Sequence, residues 1–135
     1  MKLITRNTDY AIRAICSLAS KQGQVVTVTE LVKELKMPRP FLRKILQTLS
    51  SEGIIVSYKG SGGGFKMVMH PENITLANIV EAFQGPLSIN ECIFKNKICP
   101  NIRKCFLKTK IDLIEDRVRD DLRSTTIGSL LEKGI

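Results

Sequence analysis

The 135-residue chain has no tryptophan, a single histidine (His70) and only 5% aromatic residues. Proteins that hold single-stranded nucleic acid on stacking platforms use aromatic side chains freely, so that class is disfavoured first. No apolar run approaches the roughly 18 residues needed to cross a bilayer. The opening stretch through Arg13 has a lysine but no apolar stretch ending in a small-residue cleavage site. A cytoplasmic protein with no membrane partner is the expectation. No nucleophile is paired with a base, no carboxylates converge and no cofactor fingerprint occurs, so an enzyme is not expected. Repeats, low-complexity tracts and long linkers are missing too, and the length suits one compact unit.

What the chain has in excess is positive charge. Lysine and arginine number 21 against 13 acidic residues, a formal net charge of +8. Residues 1–70 hold 11 basic and 4 acidic side chains, whereas residues 71–135 hold 10 and 9. The field therefore belongs to the first half, and its natural partner is a polyanion, duplex DNA above all.

Apolar periodicity reads as short helices. Ala11, Ile12, Ala14, Ile15, Leu18 and Ala19 define one over Asp9 to Ser20, with Cys16 packed in it as an inert small hydrophobe. Thr27 and Glu30 have the spacing of a capping box and open a second helix that ends near Met37. Pro38 and Pro40 suit a turn and a first helical turn, so a third helix is predicted from Arg39 to Glu52, with Leu42, Ile45, Leu46 and Leu49 inward. Ile54 to Val56 and Met67 to Met69 then flank a glycine-rich tip, the pattern of a two-stranded ribbon. Thr75 caps a fourth helix that ends at Gly85-Pro86. From Phe106 to Arg123 a long helix carries Leu107, Ile111, Ile114 and Val118 as a seam, best buried against a second copy in a homodimer.

The expected fold class is mainly α with a small β-ribbon: a winged helix-turn-helix plus a long C-terminal dimerisation helix. Residues 1–85 would form the DNA-binding domain, 86–105 a cysteine loop and 106–135 the dimerisation helix and tail. Arg39, Arg43, Lys44 and Gln47 point away from the buried stripe of the third helix, where Arg39 and Arg43 reach guanine edges or phosphates and Gln47 pairs with adenine or faces water. Gly62 and Gly63 clear the wing tip for close approach to the DNA backbone, with Lys59 and Lys66 beside them. Gly60 to Gly64 is no nucleotide loop, since no Gly-Lys-Ser/Thr follows and no helix opens there.

Cys92, Cys99 and Cys105 fall within fourteen residues, surrounded by Lys95, Lys97, Arg103, Lys104 and Lys108. Three close thiolates suit soft metal chemistry, and their wide spacing suits an iron–sulphur cluster better than zinc. The neighbouring positive charge offsets that of a thiolate-held cluster. A zinc site or a thiol–disulfide switch without a cluster is the alternative.

Four stretches carry a family resemblance: Met1-Lys2-Leu3 through Thr8-Asp9-Tyr10-Ala11-Ile12-Arg13-Ala14, Lys59 to Phe65, Ile74 to Val80 with Gly85-Pro86, and Thr126 to Leu131. Over nearly the whole chain the sequence resembles the Rrf-two regulators, in their cluster-binding IscR/NsrR type. The resemblance implies a dimeric transcriptional repressor that binds operator DNA and carries an iron–sulphur cluster, 4Fe-4S rather than 2Fe-2S, on Cys92, Cys99 and Cys105. Where the cluster-assembly regulators have a histidine ligand, this chain has Lys108, and His70 reads as a turn residue. Asp9 resembles the aspartate that the nitric-oxide-sensing branch supplies from the partner's first helix, which makes it the implied fourth ligand. Its simpler role is an acidic charge at a helix N-terminus. Cys99-Pro100 is also similar to iron-responsive members, so the implied signal is nitric oxide, redox state or iron.

Overall fold

The computed structural model describes residues 3–88 and 106–133. In chain order these form α1 (Arg6–Ser20), α2 (Val28–Leu35), α3 (Arg39–Ser51), β1 (Ile55–Tyr58), β2 (Gly64–Met67), a 3₁₀ turn at Pro71–Asn73, α4 (Leu76–Gln84), α5 (Phe106–Ser124) and α6 (Ile127–Glu132). The fold is mainly helical with one antiparallel ribbon, in which Ile55 pairs with Met67 and Tyr58 with Gly64.

Polar groups set the helix boundaries. Helix α1 starts earlier than its apolar pattern, because Thr5 caps it by accepting the Thr8 N–H at 3.3 Å. Thr27 does the same for α2 through the Glu30 N–H at 3.1 Å. That helix ends at Leu35, short of the expected Met37. Lys36 turns left-handed (φ 56°, ψ 43°), and its N–H donates to Val32 O at 2.9 Å. The turn carries Met37 into the core, where it is 3% exposed.

Buried side chains of α1 (Ile15, Leu18), α2 (Leu31) and α3 (Leu42, Ile45, Leu46, Leu49) meet Ile55, Ile74, Ile79 and Ile127 in one core. Burying each large aliphatic side chain contributes roughly 1.5–3 kcal/mol. The core therefore fixes how far α3 can rotate and which of its side chains face outward.

The C-terminal region departs from the sequence reading in two ways. Residues after Arg123 form a further helix, α6, bound to the start of α4: Leu76 N–H donates to Thr125 O at 2.9 Å and Ile127 N–H to Ile74 O at 2.8 Å. The apolar seam of α5 is also divided. Val118 packs beside Ala77, Val80 and Leu122 where α5 meets α4, so it is used within the chain. Leu107 (70%) and Ile114 (37%) stay exposed, together with Phe106 and Leu113. Among the described residues, no helix is long and apolar enough to cross a membrane.

Cys16 is buried as expected, and burial pushes its thiol pKa up, with Arg13 pulling weakly the other way. The thiol is therefore neutral at pH 7 and a poor nucleophile. In native protein treated with iodoacetamide, peptide mapping should find Cys16 unmodified until denaturant is added. Rapid native labelling would contradict its burial.

Candidate nucleic-acid interface

Helices α2 and α3 are joined by the Lys36 turn and the rigid Pro38, which caps α3 without a side-chain bond, with Pro40 in the first turn. With Leu42, Ile45, Leu46 and Leu49 at most 2% exposed, the opposite face of α3 presents Arg39, Arg43, Lys44 and Gln47 to solvent. Arg39 is held in place: its Nη2 donates to Thr29 Oγ1 of α2 at 3.0 Å.

The ribbon folds back towards this face. Between them lies a cleft of about 820 Å³, lined by Arg43, Gln47, Ser50 and Ser51 of α3 and by Ser57, Tyr58, Lys59, Gly60, Gly63 and Gly64 of the wing. The structure thus brings together four of the expected DNA-contacting residues: Arg43, Gln47, Lys59 and Gly63. Arg39 and Lys44 are exposed on α3 outside the lining, Gly62 is at the open tip, and Lys66 is half-buried on β2 opposite Val56. Sequence reasoning missed Ser50, Ser51, Ser57 and Tyr58, hydroxyl-bearing residues that can donate to phosphate. Tyr58, an aromatic placed directly before Lys59 at the ribbon tip, was the available signal.

The wing glycines have different causes. Gly62 adopts φ +75° with open space around it, a turn requirement. At Gly63 a Cβ would strike the Tyr58 carbonyl, and at Gly64 the Val26 carbonyl. Close approach at Gly63 and Gly64 is therefore to the protein's own backbone. Gly64 lets β2 bind the residue before the α2 cap, with Val26 N–H donating to Phe65 O at 2.7 Å and Phe65 N–H to Val26 O at 2.8 Å.

Cys92, Cys99 and Cys105 lie outside the described residues. Asp9 is in the first turn of α1, 45% exposed, its Oδ2 accepting from Arg13 Nε at 3.0 Å. Its position agrees with the simple role of an N-terminal helix charge, and a carboxylate at that surface can also be reached by a metal held on another element. Three thiolates together with such a carboxylate would be a donor set chemically suited to iron. His70 is exposed beside the 3₁₀ turn, with Nδ1 3.9 Å from Glu72 Oε2.

The family model for Rrf2, described as an iron-dependent transcriptional regulator, matches residues 4–133. A helix-turn-helix transcriptional regulator of Aquifex aeolicus is 32% identical over 124 residues, covering 90% of this chain and 86% of that protein. The transcriptional regulator NsrR of Bacillus subtilis is 30% identical over 110 residues, covering 80% and 75%. Among solved structures, CymR, the global cysteine regulator of B. subtilis, superposes over the full length of both chains with a TM-score of 0.79 at 24% identity, a likeness of fold. The chain belongs to the Rrf2 family and is a DNA-binding transcriptional regulator, not an enzyme.

Proposed function

We propose that the chain is a repressor whose hold on a double-stranded operator is set by an iron–sulphur cluster on Cys92, Cys99 and Cys105, with Asp9 of a second copy as fourth ligand. One observation carries the DNA half of the reading: Arg43, Gln47 and Lys59 converge on one cleft between α3 and the wing. Arg39, Lys44, Gly62, Gly63 and Lys66 belong to the same surface, with Arg and Gln on base edges and the wing on the backbone. Residues 1–85 bind DNA, 86–105 hold the cluster and 106–135 pair the subunits.

The exposed Phe106, Leu107, Leu113 and Ile114 supply apolar surface for a homodimer. Pairing there sets the distance between two α3 helices, on the order of 34 Å for half-sites one turn apart on a palindromic operator. The cluster is of the 4Fe-4S kind, and when bound it supplies iron that reacts with nitric oxide or oxygen, or is lost when iron is scarce. Asp9, a hard ligand among soft thiolates, holds that iron weakly, and Arg13 competes for its Oδ2. The family's iron-dependent description and the NsrR relative support this reading.

Anaerobic purification followed by a visible spectrum, with iron, sulphide and zinc analysis of the same sample, tests it. Brown protein containing iron and sulphide that bleaches with nitric oxide is expected, and Asp9→Ala should alter the spectrum. Colourless protein with one zinc per chain would replace the cluster with a zinc or thiol switch, and an unchanged Asp9→Ala spectrum would remove Asp9 as a ligand.

A further inference from the structure

Gln84 is the last residue of α4 and stands eight positions before Cys92. Its side chain gathers the N-terminal segment. Thr5 N–H donates to Gln84 Oε1 at 2.9 Å, Thr8 Oγ1 donates to the same oxygen at 2.6 Å, and Gln84 Nε2 donates to Leu3 O at 3.2 Å. The partners fix the amide's orientation, because a peptide N–H must meet an acceptor and a peptide carbonyl a donor. A carboxylate could take the first two bonds but not give the third. Thr8 is completely buried, and its hydroxyl has Gln84 Oε1 as its nearer partner and Thr5 Oγ1 at 3.1 Å as a second.

On one side of Gln84 the chain leaves α4 through Gly85 and Leu87, whose carbonyl accepts from Arg119 Nη2 at 3.3 Å, and continues to the cysteines. On the other side, Thr8 is followed by Asp9 and Tyr10. The Tyr10 ring meets Phe41 edge-on, with centroids 5.4 Å apart and planes at 82°. Phe41 is in the first turn of α3, between Arg39 and Arg43. The hydrogen bonds at Gln84 and the Tyr10–Phe41 ring contact, linked through the start of α1, therefore join the root of the cysteine segment to the outward-facing helix of the DNA cleft.

We propose that Gln84 is a positioning residue that registers the end of α4 to the first turn of α1 and, through Tyr10 and Phe41, to α3; its regulatory meaning rests on reading residues 86–105 as the sensing element. A displacement at the end of α4 must either carry Leu3, Thr5 and Thr8 with it or break their bonds to one side chain. The amide thus makes the set of α3 depend on the state of the cysteine segment. Couplings between two such sites commonly change affinity about 5- to 150-fold.

The test uses Gln84→Leu, which fills the site without hydrogen bonds, and Gln84→Glu, which keeps the acceptor and loses the donor. Operator affinity is measured for protein reconstituted with iron and sulphide and for metal-free reduced protein. Amide exchange over residues 6–12 and 39–45 is followed in the metal-free form. In Gln84→Leu the ratio of the two affinities should fall at least about fivefold, and exchange should quicken in both segments; Gln84→Glu should be intermediate. A merely structural role would weaken both states by one factor and leave the ratio unchanged, which overturns the proposal. If the protein takes up no iron, the cluster reading fails and exchange alone decides: faster exchange at 39–45 supports the coupling, while a change confined to 6–12 overturns it. Should Gln84→Leu not fold, Gln84→Glu carries the same comparison.

Discussion

Arg43→Ala should weaken operator binding by about 10- to 100-fold per half-site, the cost expected for losing a guanidinium contact to a base edge. The expectation follows from the core. Leu42, Ile45, Leu46 and Leu49 are at most 2% exposed and fix the rotation of α3, so Arg43 and Gln47 can only face the cleft they line with Lys59. Lys59→Ala should act differently. A lysine on the wing neutralises phosphate without reading sequence, so its loss weakens binding to all duplexes alike and reduces the slope of log K against log salt by about 1 per site. Arg39→Ala combines two effects, since its guanidinium also bonds Thr29 and removing it loosens α3 from α2. Lys133→Ala, at the end of α6, is the control and should bind as wild type. Titration of a labelled operator by anisotropy at several salt concentrations separates these cases. Wild-type affinity for Arg43→Ala, or a shallow salt slope for the intact protein, would take the DNA surface away from this cleft.

The helices that position this surface were legible because each announces itself locally. Thr27 and Thr75 cap their helices as their spacing implies, Pro38 and Pro40 stand where α3 begins, and the buried stripe of α3 follows helical period. Features that depend on distant partners were not legible. Helix α6 has only six residues, too few for a periodic stripe, and its Ile127, Leu130 and Leu131 find their apolar partners only in the folded core, where Ile127 N–H also bonds Ile74 O. The first turn of α1 shows no apolar pattern; its one buried side chain, Thr8, finds its partner at Gln84. Val118 continues the period of the α5 seam, yet α4 covers it. Composition and period cannot say which of two surfaces will cover an apolar face. On the DNA surface, charge identified Arg43 and Lys59, whereas the hydroxyls of Ser50, Ser57 and Tyr58 became neighbours only when the wing folded back.

That fold-back depends on Gly64 more than on the glycines nearer the tip. A methyl group at Gly64 would lie against the Val26 carbonyl oxygen, 2.8 Å from Val26 C and 3.1 Å from Thr27 Cα. These are backbone atoms that cannot move aside without shifting the chain. Relief of the clash must separate β2 from the connection between α1 and α2, breaking the two Val26–Phe65 hydrogen bonds of 2.7 and 2.8 Å. Each is worth about 1 kcal/mol, and overpacking adds about 1–3 kcal/mol, so Gly64→Ala should cost about 3–5 kcal/mol in denaturant unfolding. The functional loss follows from the same displacement. Thr27 caps α2 immediately beyond Val26, so freeing β2 loosens the wing from the helix-turn-helix and separates Lys59 from Arg43. Helical circular dichroism should survive while operator affinity falls at least about tenfold, an energy of about 1.4 kcal/mol in binding. Gly62→Ala isolates the turn requirement, because nothing lies within 4 Å of the added carbon and only its positive φ is penalised, by about 1–2 kcal/mol. If Gly64→Ala matched wild type in both unfolding and binding, Val26 and Phe65 would not be what holds the wing against α3.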